Sequence, residues 1–428
     1  MGLGKLVINH KVLKAAEGTY YTVPFVVPDG VIQISVSYSY NKLVSKDEKR
    51  SCKNNVVDLG IIDGNGRFIG WSGSAKNSVF IGAYSSTSGY LITDISPGEW
   101  QIIVGAYKIP KDGLDVTYEI TFTSSKPQWL VGDTHIHSDA SDGQYDIATL
   151  AKMAKKAGLD FIAISNHNNY TDNLSIPTIA DMTFLPAVEW THYKGHFNLF
   201  GVKMPFTNSF IANNEEEMLS LISDAKKKGA LVSVNHPKCR ICPYLWKDEK
   251  CFDMVEVWNG PMRGANMDAI TWWHEMLMQG RNIPIISGSD YHKFFFFFRI
   301  AHPVVYVYAA SPSADDIIKA MANGHSYISA RVNGITLDLR YENAIMGDEI
   351  TRRDGIELSI SAKGLRPGVR IKLITSEGSA IKWKKFTGGE LNINVPVNKN
   401  WKFAYLVAYR KFFGKEYVRA ITNPIYFL

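Results

Sequence analysis

The stretch "GDTHIHSDASDG", residues 132–143, places two histidines one residue apart and follows them with an aspartate in a Ser-Asp-Gly turn. In a β-strand, residues i and i+2 face the same side. His135 and His137 can therefore bind one cation together, and Asp142 follows where the strand turns towards a helix predicted from residue 147. Alone, the pattern is only moderately specific, because His-x-His pairs also occur by chance on protein surfaces.

Imidazole and carboxylate side chains recur at the ends of the strands predicted after this stretch. They are His167, Glu189, His196, His236, Asp290 and His292. In β/α barrels, ligands and catalytic groups gather at the C-terminal ends of the strands. A succession of such endings is strong evidence, since buried histidines and carboxylates without partners would be costly. Nine donors exceed the roughly four that one zinc site uses, so two or three cations are expected.

The periodicity of residues 128–333 is typical of a β/α segment with buried parallel strands. Glycine follows each predicted helix, where a left-handed cap is expected. The predicted helices cover 147–157, 215–228, 267–279 and 314–323. The predicted strands cover 161–165, 184–190, 197–202, 230–234, 254–258, 283–287 and 303–308.

The two flanking segments consist of short alternating or β-branched runs separated by Gly, Asn, Pro and Asp, as in β-sandwiches. Strands are predicted over 20–27, 32–38, 56–62, 90–95, 100–104 and 117–123, and over 356–362, 370–375, 391–395 and 403–410. The sequence thus predicts three domains: a β-sandwich-like domain over 1–127, a metallohydrolase domain over 128–333 and a small β-sandwich-like domain over 334–428.

Composition is that of a soluble globular protein, with 46% hydrophobic and 21% charged residues. No stretch approaches the ~20 apolar residues of a membrane helix, and the first residues do not read as a secretion signal. The four cysteines, one of them Cys52, are too few for a disulfide scaffold. A cytoplasmic protein without a membrane partner is therefore expected.

Charge and histidine are unevenly distributed. Ten of the eleven histidines lie in 129–333, whose net charge of −3 suits bound cations. Residues 334–428 carry +7, which could meet an acidic partner, although a solvated sheet face explains scattered charges equally simply. Cys239-Arg-Ile-Cys242 has redox or zinc spacing, but a second such pair is missing. It is interpreted either as small side chains in a loop or as a minor structural or active-site element.

The order His-x-His, Ser-Asp-Gly, (Asp/Asn)-His, Glu, His, His-Pro and Gly-Ser-Asp-x-His resembles the PHP (polymerase and histidinol phosphatase) superfamily of metal-dependent hydrolases over roughly 131–330. The resemblance implies a distorted (β/α)7 barrel with a trinuclear site for Zn, Mn or Fe. The flanking segments, with "GWSG", "PGEW" and "TNPIY", look like the branch that contains carbamate-ester-hydrolysing members, the CehA/McbA type.

The resemblance also implies how the nine donors divide among the cations. One metal would take His135, His137, Glu189 and Asp290, a second Asp142, His167 and His292, and a third His196 and His236, with Glu189 bridging to the first. His192 is the competing candidate for the place of His196. The chain departs from many relatives in having Asn166 before His167 where they have Asp, which removes a negative charge beside the cluster.

Such a site implies hydrolysis by a metal-bridging hydroxide, with no catalytic residue acting as the nucleophile. The expected substrate is a small-molecule phosphoester. The alternatives are a carbamate or carboxylic (aryl) ester, favoured by aromatic residues along the predicted rim including the Phe run 294–298, and a non-catalytic metal-stabilised binding module. A nuclease is less favoured, because the middle segment is acidic and has no basic stripe for long nucleic acid.

Phosphate would need cationic side chains near the mouth of the site. Lys238, Arg240, Arg263 and Arg299 follow predicted strand ends and are the candidate substrate-binding residues.

Overall fold

The computed structural model describes residues 2–43, 54–83, 86–124, 126–177, 179, 182–295, 298–383 and 389–428. Cys52 and two members of the Phe run, Phe296 and Phe297, lie outside the described residues. The chain separates into two compact units, Met1–Lys126 and Pro127–Leu428. In the described ranges, no helix has both the length and the apolar character that crossing a membrane requires.

The first unit consists of two four-stranded antiparallel sheets around one core. Its strands are Gly2–Val12 (β1), Tyr20–Val27 (β2), Val31–Tyr40 (β3), Val56–Ile62 (β4), Phe68–Gly73 (β5), Ser78–Gly82 (β6), Gly98–Lys108 (β7) and Leu114–Ser124 (β8), with a 3-10 turn at Lys14–Ala16. The sheet orders are β1–β8–β3–β6 and β2–β7–β4–β5. Alternate side chains of β8 are buried in the core, which explains the period of two in its sequence.

The strand predicted over 90–95 is wrong, since Tyr90 forms only an isolated bridge with Gly70. The backbone at Gly89 and Tyr90 passes so close to Gly70 that a Cβ there would lie 2.4 Å from the carbonyl oxygen of Gly89. The hydroxyl of Tyr90 donates to the carbonyl oxygen of Leu59 at 3.2 Å. This segment therefore packs across β5 instead of extending a ladder, whereas β1, β5 and β6 are strands that the sequence analysis did not predict.

The first part of the second unit is a sheet together with the five described α-helices of the chain. Its elements up to residue 329 are Gln128–Ile136 (β9), Ile147–Ala157 (α1), Phe161–Ile164 (β10), Thr171–Leu174 (α2), Thr183–His192 (β11), Gly195–Phe200 (β12), Glu215–Lys227 (α3), Leu231–Asn235 (β13), Met254–Asn259 (β14), Gly264–Met278 (α4), Ile285–Gly288 (β15), Val304–Ala309 (β16), Ala314–Ala322 (α5) and Ser326–Ser329 (β17). The strands lie in the order β15–β14–β13–β12–β11–β10–β9–β16–β17.

The four long helices agree with the sequence prediction to within three residues at each end. Asp146, Asn214 and Ser313 cap α1, α3 and α5 by accepting a hydrogen bond from a backbone N–H in the first turn. Gly158 follows α1 in the left-handed conformation, with φ 88°. Local capping residues therefore explain why these helices were predictable.

The (β/α)7 barrel implied by the resemblance is not shown, because the sheet is mixed. Strands β9 to β11 pair in parallel, as do β13 to β15, but β12 is antiparallel to both of its neighbours. Only Tyr193 and Lys194 connect β11 to β12. A two-residue connection can join only antiparallel strands, since a parallel crossover needs a dozen or more residues.

The two ends of this strand series nevertheless approach each other. The backbone N–H of Asp290, beyond β15, donates to the carbonyl oxygen of His135 on β9 at 2.8 Å, and that of His137 donates to Tyr291 at 2.9 Å. A Cβ on Gly288 would lie 2.1 Å from the Cβ of His135, so glycine is required at this approach. The ends of β9 and β15 therefore lie side by side.

The remaining residues continue the same unit. Their strands are Thr336–Tyr341 (β18), Ala344–Ile345 (β19), Glu349–Ile350 (β20), Glu357–Leu365 (β21), Val369–Thr375 (β22), Gly378–Trp383 (β23), Gly389–Pro396 (β24), Phe403–Phe412 (β25), Lys415–Thr422 (β26) and Ile425–Phe427 (β27). A sheet of order β19–β18–β21–β24 shares a core with β22 and β25. Because β26 pairs with β17, residues 334–428 extend the large sheet. The three-domain division with a boundary at 333/334 stays a prediction.

Candidate metal centre

Five histidine rings surround one carboxylate, that of Glu189 on β11. Glu189, His135 and His137 have side chains with no exposed surface. The nitrogen–oxygen distances to Glu189 are 3.3 Å from His135 Nε2, 3.5 Å from His137 Nε2, 2.8 Å from His167 Nδ1, 3.1 Å from His196 Nδ1 and 3.2 Å from His236 Nε2. A single buried carboxyl group thus connects histidines from four other chain segments.

Two further carboxylates complete the cluster. Asp290 Oδ1 lies 3.1 Å from His137 Nε2 and 3.6 Å from His292 Nδ1. Asp142 Oδ1 lies 3.3 Å from His292 Nε2, and its Oδ2 lies 3.7 Å from His167 Nε2. All nine side chains that the sequence analysis selected as metal ligands therefore gather in one place.

Strand ends position most of these groups. His135 is the second-last residue of β9. His167 and His236 follow β10 and β13, and Asp290 follows β15. The backbone at His236 and Asp290 is left-handed, with φ of 30° and 52°. Non-glycine residues rarely adopt this region, so the structure accepts local strain at two of the nine donors.

The cluster opens on one side. The side chain of Asp142 is 57% exposed, and those of His167 and His292 are 26% and 28% exposed. His135, His137 and Glu189 form the closed floor. A small molecule would therefore approach the cluster past Asp142.

The donor set fits divalent cations. In each of four groups, atoms from at least three residues lie within 4.8 Å of one another. These groups are His137–Asp142–His167–His292, His135–His137–Asp290, His135–Glu189–His236 and His167–Glu189–His196. His137 Nδ1 is buried and has no hydrogen-bond partner among the described residues. Imidazole and carboxylate ligands suit Zn, Mn and Fe.

Electrostatics couples the histidines to the carboxylates. Burial opposes the charged form of the His135 imidazole, but Glu256, Glu189 and Asp290 raise its pKa well above the usual value. Burial likewise opposes ionisation of Glu189, but His135 and His196 hold its pKa well below the usual range. These shifts favour the ionised form of Glu189 and the protonated form of His135, whereas burial lowers the pKa of His137 to about 4. A cation that binds His135 would have to displace a proton.

Glu256, a site residue that the sequence analysis missed, lies on β14 and is fully buried. Its Oε1 lies 2.9 Å from His135 Nδ1, and its Oε2 accepts from the backbone N–H of His236 at 2.9 Å and from Asn259 Nδ2 at 3.2 Å. A partner of this kind fixes the ring orientation of a metal-binding histidine. The signal was present in the sequence, as an acidic residue inside the apolar stretch "MVEVWN".

Asp133 provides a second buried support. Its carboxylate accepts from the backbone N–H groups of Ser289 at 2.9 Å, Ala301 at 2.9 Å and His135 at 3.3 Å. Burial raises the pKa of this carboxyl group to about 6, against these hydrogen bonds. Asp133 therefore ties the segment that carries Asp290 to β9.

Asn166 has a definite role in the structure. Its Oδ1 accepts from the backbone N–H of Ser138 at 2.8 Å and from the hydroxyl of Ser141 at 3.0 Å, and its Nδ2 donates to Asp172 Oδ2 at 2.9 Å. Its side-chain amide thus orders the loop that carries Asp142. The negative charge absent at position 166 is present nearby, on Asp172.

The four candidate substrate-binding residues have different surroundings. Arg263 Nη2 donates to Asn259 Oδ1 at 3.2 Å, which links it through Asn259 to Glu256. Lys238 Nζ lies 4.5 Å from the centre of the Trp272 ring. Arg240 and Arg299 are exposed. Among the described residues, Arg263 is the one of the four with a hydrogen-bond chain to the donor set.

The two cysteines of the Cys-x-x-Cys segment lie close to His236. Cys242 Sγ is 3.6 Å from His236 Nδ1 and 3.2 Å from Cys239 Sγ, and it forms a further possible ligand group with His196 and His236. The Cys-x-x-Cys segment therefore borders the cluster.

His192, the competitor of His196, stacks on Trp190, with 5.6 Å between the ring centres. Its Nδ1 accepts a hydrogen bond from the backbone N–H of Lys194.

No protein-family model and no curated protein matches this sequence. Among solved structures, the chain is similar to a protein from Bacteroides vulgatus described as "a two-domain protein containing predicted PHP-like metal-dependent phosphoesterase", with 17% identity over 69% of this chain and 95% of that chain and a TM-score of 0.42. It is also similar to a candidate metal-dependent phosphoesterase from Bifidobacterium adolescentis, with 14% identity over 38% of this chain and 87% of that chain and a TM-score of 0.27. A third similar structure is PsfC from Pseudomonas syringae, with 15% identity over 46% of this chain and 90% of that chain and a TM-score of 0.36.

Two of these descriptions name the enzyme class that the sequence resemblance implies, and none names the carbamate-hydrolysing branch. Similarities with TM-scores of 0.27 to 0.42 do not by themselves assign an activity to this chain.

Proposed function

We propose that this chain is a metal-dependent hydrolase of the PHP type that acts on a small phosphoester. The observation that carries the proposal is the buried carboxylate of Glu189 with ring nitrogens of five histidines within 3.5 Å. A buried group of imidazoles and carboxylates at this density is costly without cations. It is therefore best explained as a set of metal ligands.

Four overlapping sets of donor atoms, each set lying within 4.8 Å, support a trinuclear arrangement. The resemblance divides the nine donors into His135, His137, Glu189 and Asp290; Asp142, His167 and His292; and His196 and His236 with Glu189 shared. Divalent cations bound there would supply Lewis acidity and a water molecule acidic enough to be a nucleophile near neutral pH. Zinc, manganese and iron all suit this ligand chemistry.

The protein's own side chains would orient substrate and ligands. Glu256 holds the His135 ring with Nε2 towards Glu189, and Asn166 orders the loop of Asp142. Arg263 is held at Asn259, from which a guanidinium group could meet a phosphoryl oxygen at the edge of the cluster. This cation, which is connected to Glu256 through Asn259, supports a phosphoester over an uncharged ester.

The aromatic rim gives less support to the aryl-ester alternative. Trp190, Trp258 and Tyr291 are at most 2% exposed, so they pack in the interior and offer no surface to a substrate. Tyr193 and Phe294 are exposed, and the ring contact of Tyr193 is with His192, which is not one of the nine donors. A carbamate or aryl-ester hydrolase and a non-catalytic metal-stabilised module remain the two alternatives.

The test is reconstitution of chelator-treated protein with Zn²⁺, Mn²⁺ or Fe²⁺, followed by assays with p-nitrophenyl phosphate, a bis-phosphodiester, an aryl acetate and an aryl carbamate. Turnover of the phosphorus esters, lost in Glu189→Gln and retained in the exposed control Glu275→Gln, supports the proposal. Turnover of the carbon esters alone supports the second function. Stoichiometric metal binding without turnover of any substrate supports the binding module.

A further inference from the structure

Four arginines line one small cavity in the second unit, among strands of the C-terminal segment. Arg331 follows β17, Arg366 lies between β21 and β22, Arg410 is on β25 and Arg419 is on β26. The cavity has a volume of about 120 Å³. The backbone N–H of Ala330 donates to the carbonyl oxygen of Arg419 at 3.0 Å, which brings Arg331 beside Arg419.

The lining contains no acidic side chain. The other residues of the wall are Ala330, Asn333, Gly334, Ile335, Gly364 and Val369. Within the described ranges, none of the four guanidinium groups forms an ion pair, whereas Arg340 on nearby β18 pairs with Asp338 at 2.8 Å. The four positive charges therefore face a common space without a counter-charge from the described protein.

Glycines allow the arginines to converge. Gly364 has φ 71°, and a Cβ there would lie 2.8 Å from the carbonyl oxygen of Gly334. At Gly368, with φ 85°, a Cβ would lie 3.5 Å from Arg410 Nε. A larger residue at either turn would be strained, because both glycines have positive φ. The cavity is thus lined by glycine-containing turns as well as by arginine side chains.

Electrostatics indicates that the four guanidinium groups repel one another, and solvent screens part of this repulsion because Arg366, Arg410 and Arg419 are exposed. Burial lowers the pKa of the Arg419 guanidinium, and Arg331, Arg410 and Arg366 lower it further by repulsion. Two of these arginines also act on His302. Burial lowers the pKa of the His302 imidazole, and the positive charges of Arg299, Arg331 and Arg419 lower it further. An anion in the cavity would remove this repulsion.

We propose that this cavity binds a small tetrahedral oxyanion: phosphate, or the phosphoryl group of a small molecule. Guanidinium groups bind such oxygens in pairs, through parallel N–H donors. The volume suits one such group and is well below the roughly 300–1,000 Å³ of typical sites for larger ligands. The site is independent of the proposed metal centre, since it shares none of its nine donors.

The test is calorimetric titration of chelator-treated protein with inorganic phosphate and, separately, with glucose 6-phosphate. Metal removal excludes phosphate bound to cations at the candidate centre. We expect saturable binding that weakens about tenfold or more in Arg410→Gln and in Arg331→Gln, because each loses charged hydrogen bonds. Arg340→Gln, which removes an equal charge outside the cavity, should bind as the wild type does. The tighter of the two ligands identifies the source of the oxyanion.

Thermal unfolding provides a second readout, because it shows directly whether each variant is folded. Without phosphate, Arg410→Gln should unfold at a temperature no lower than the wild type, because a repulsive charge has been removed. With phosphate, the wild type should be stabilised more than the variant. Equal phosphate affinity in all variants would overturn the proposal, as would tighter, arginine-dependent binding of long DNA or heparin, which would indicate a surface for a polyanion.

Discussion

Nδ1 of His135 lies 2.9 Å from Oε1 of Glu256, while Nε2 of the same ring lies 3.3 Å from Glu189. The ring is therefore held between two buried carboxylates on β14 and β11. One of these, Glu189, is shared with four other histidines, whereas Glu256 contacts only one ring of the cluster among the described residues. Glu256 thus positions His135 for metal binding without being part of the nine-donor set.

Glu256→Gln should weaken metal binding by about 10–100-fold, the usual effect of losing such a supporting partner. The neutral amide can still accept a hydrogen bond from His135, but it no longer increases the basicity of the ring. Competition with a chromophoric chelator measures the affinity. Glu275→Gln, on the exposed side of α4, is the matched control. An unchanged affinity in Glu256→Gln would show that the ring needs no charged partner.

Asp142→Asn should lower the bound metal by about one equivalent with little change in the unfolding temperature. Asp142 lies on the open side of the cluster, with its side chain 57% exposed, so its loss creates no buried vacancy. Elemental analysis of reconstituted protein gives the stoichiometry. Asp139→Asn changes an exposed carboxylate in the same loop and should retain all the metal. Full occupancy in Asp142→Asn would remove this residue from the ligand set.

Metal binding near neutral pH should release protons. Burial opposes the charged His236 ring, but Glu189 raises its pKa to about 9, so the ring is protonated at neutral pH in the metal-free protein. Coordination requires the neutral ring, so affinity should fall as the pH falls and rise towards pH 9. Titration with Zn²⁺ in a weakly buffered indicator solution counts the protons. Fewer protons are expected for His236→Ala, and equal release would contradict this assignment.

Cys242 should be detectable by spectroscopy if its sulfur joins His196 and His236 around a cation. Cobalt-substituted protein should then show a thiolate-to-cobalt charge-transfer absorption, because the sulfur is a soft, readily oxidised ligand. The band should disappear in Cys242→Ser and persist in Cys251→Ser, which removes a thiol that contacts Tyr244 instead. Absence of the band from the wild type would leave Cys242 as a neighbour of His236 only.

Asn166→Asp, which introduces the residue that the resemblance to the PHP superfamily implies at this position, should destabilise this chain by about 1–3 kcal/mol. The new carboxylate would face Asp172 Oδ2, to which Asn166 Nδ2 now donates at 2.9 Å. Chemical denaturation of the metal-free protein measures the change. The double variant Asn166→Asp/Asp172→Asn exchanges the two groups and should recover most of the loss. A stable single variant without recovery would contradict the pairing.

Sequence patterns predicted the nine donors because most of them lie near the ends of predicted strands, where side chains meet at one edge of a sheet. Glu256 was missed because it lies inside a buried strand, where an isolated carboxylate resembles no ligand motif. The four cations chosen for substrate binding were selected by the same strand-end rule. That rule does not show where long, flexible side chains lie, and it did not predict that Arg299, Arg331 and Arg419 each lower the pKa of His302.

Local chemistry in the sequence determined the helices with their caps, the alternating strands of the first unit and the identity of the candidate metal-binding groups. Only the tertiary structure decided that β9 and β15 meet at Gly288 and that β26 joins β17 in the large sheet. The physical reason is range: capping and strand alternation depend on neighbours a few residues apart, whereas the pairing of Tyr327 with Thr422 and the approach of Gly288 to His135 depend on contacts between segments far apart in the sequence.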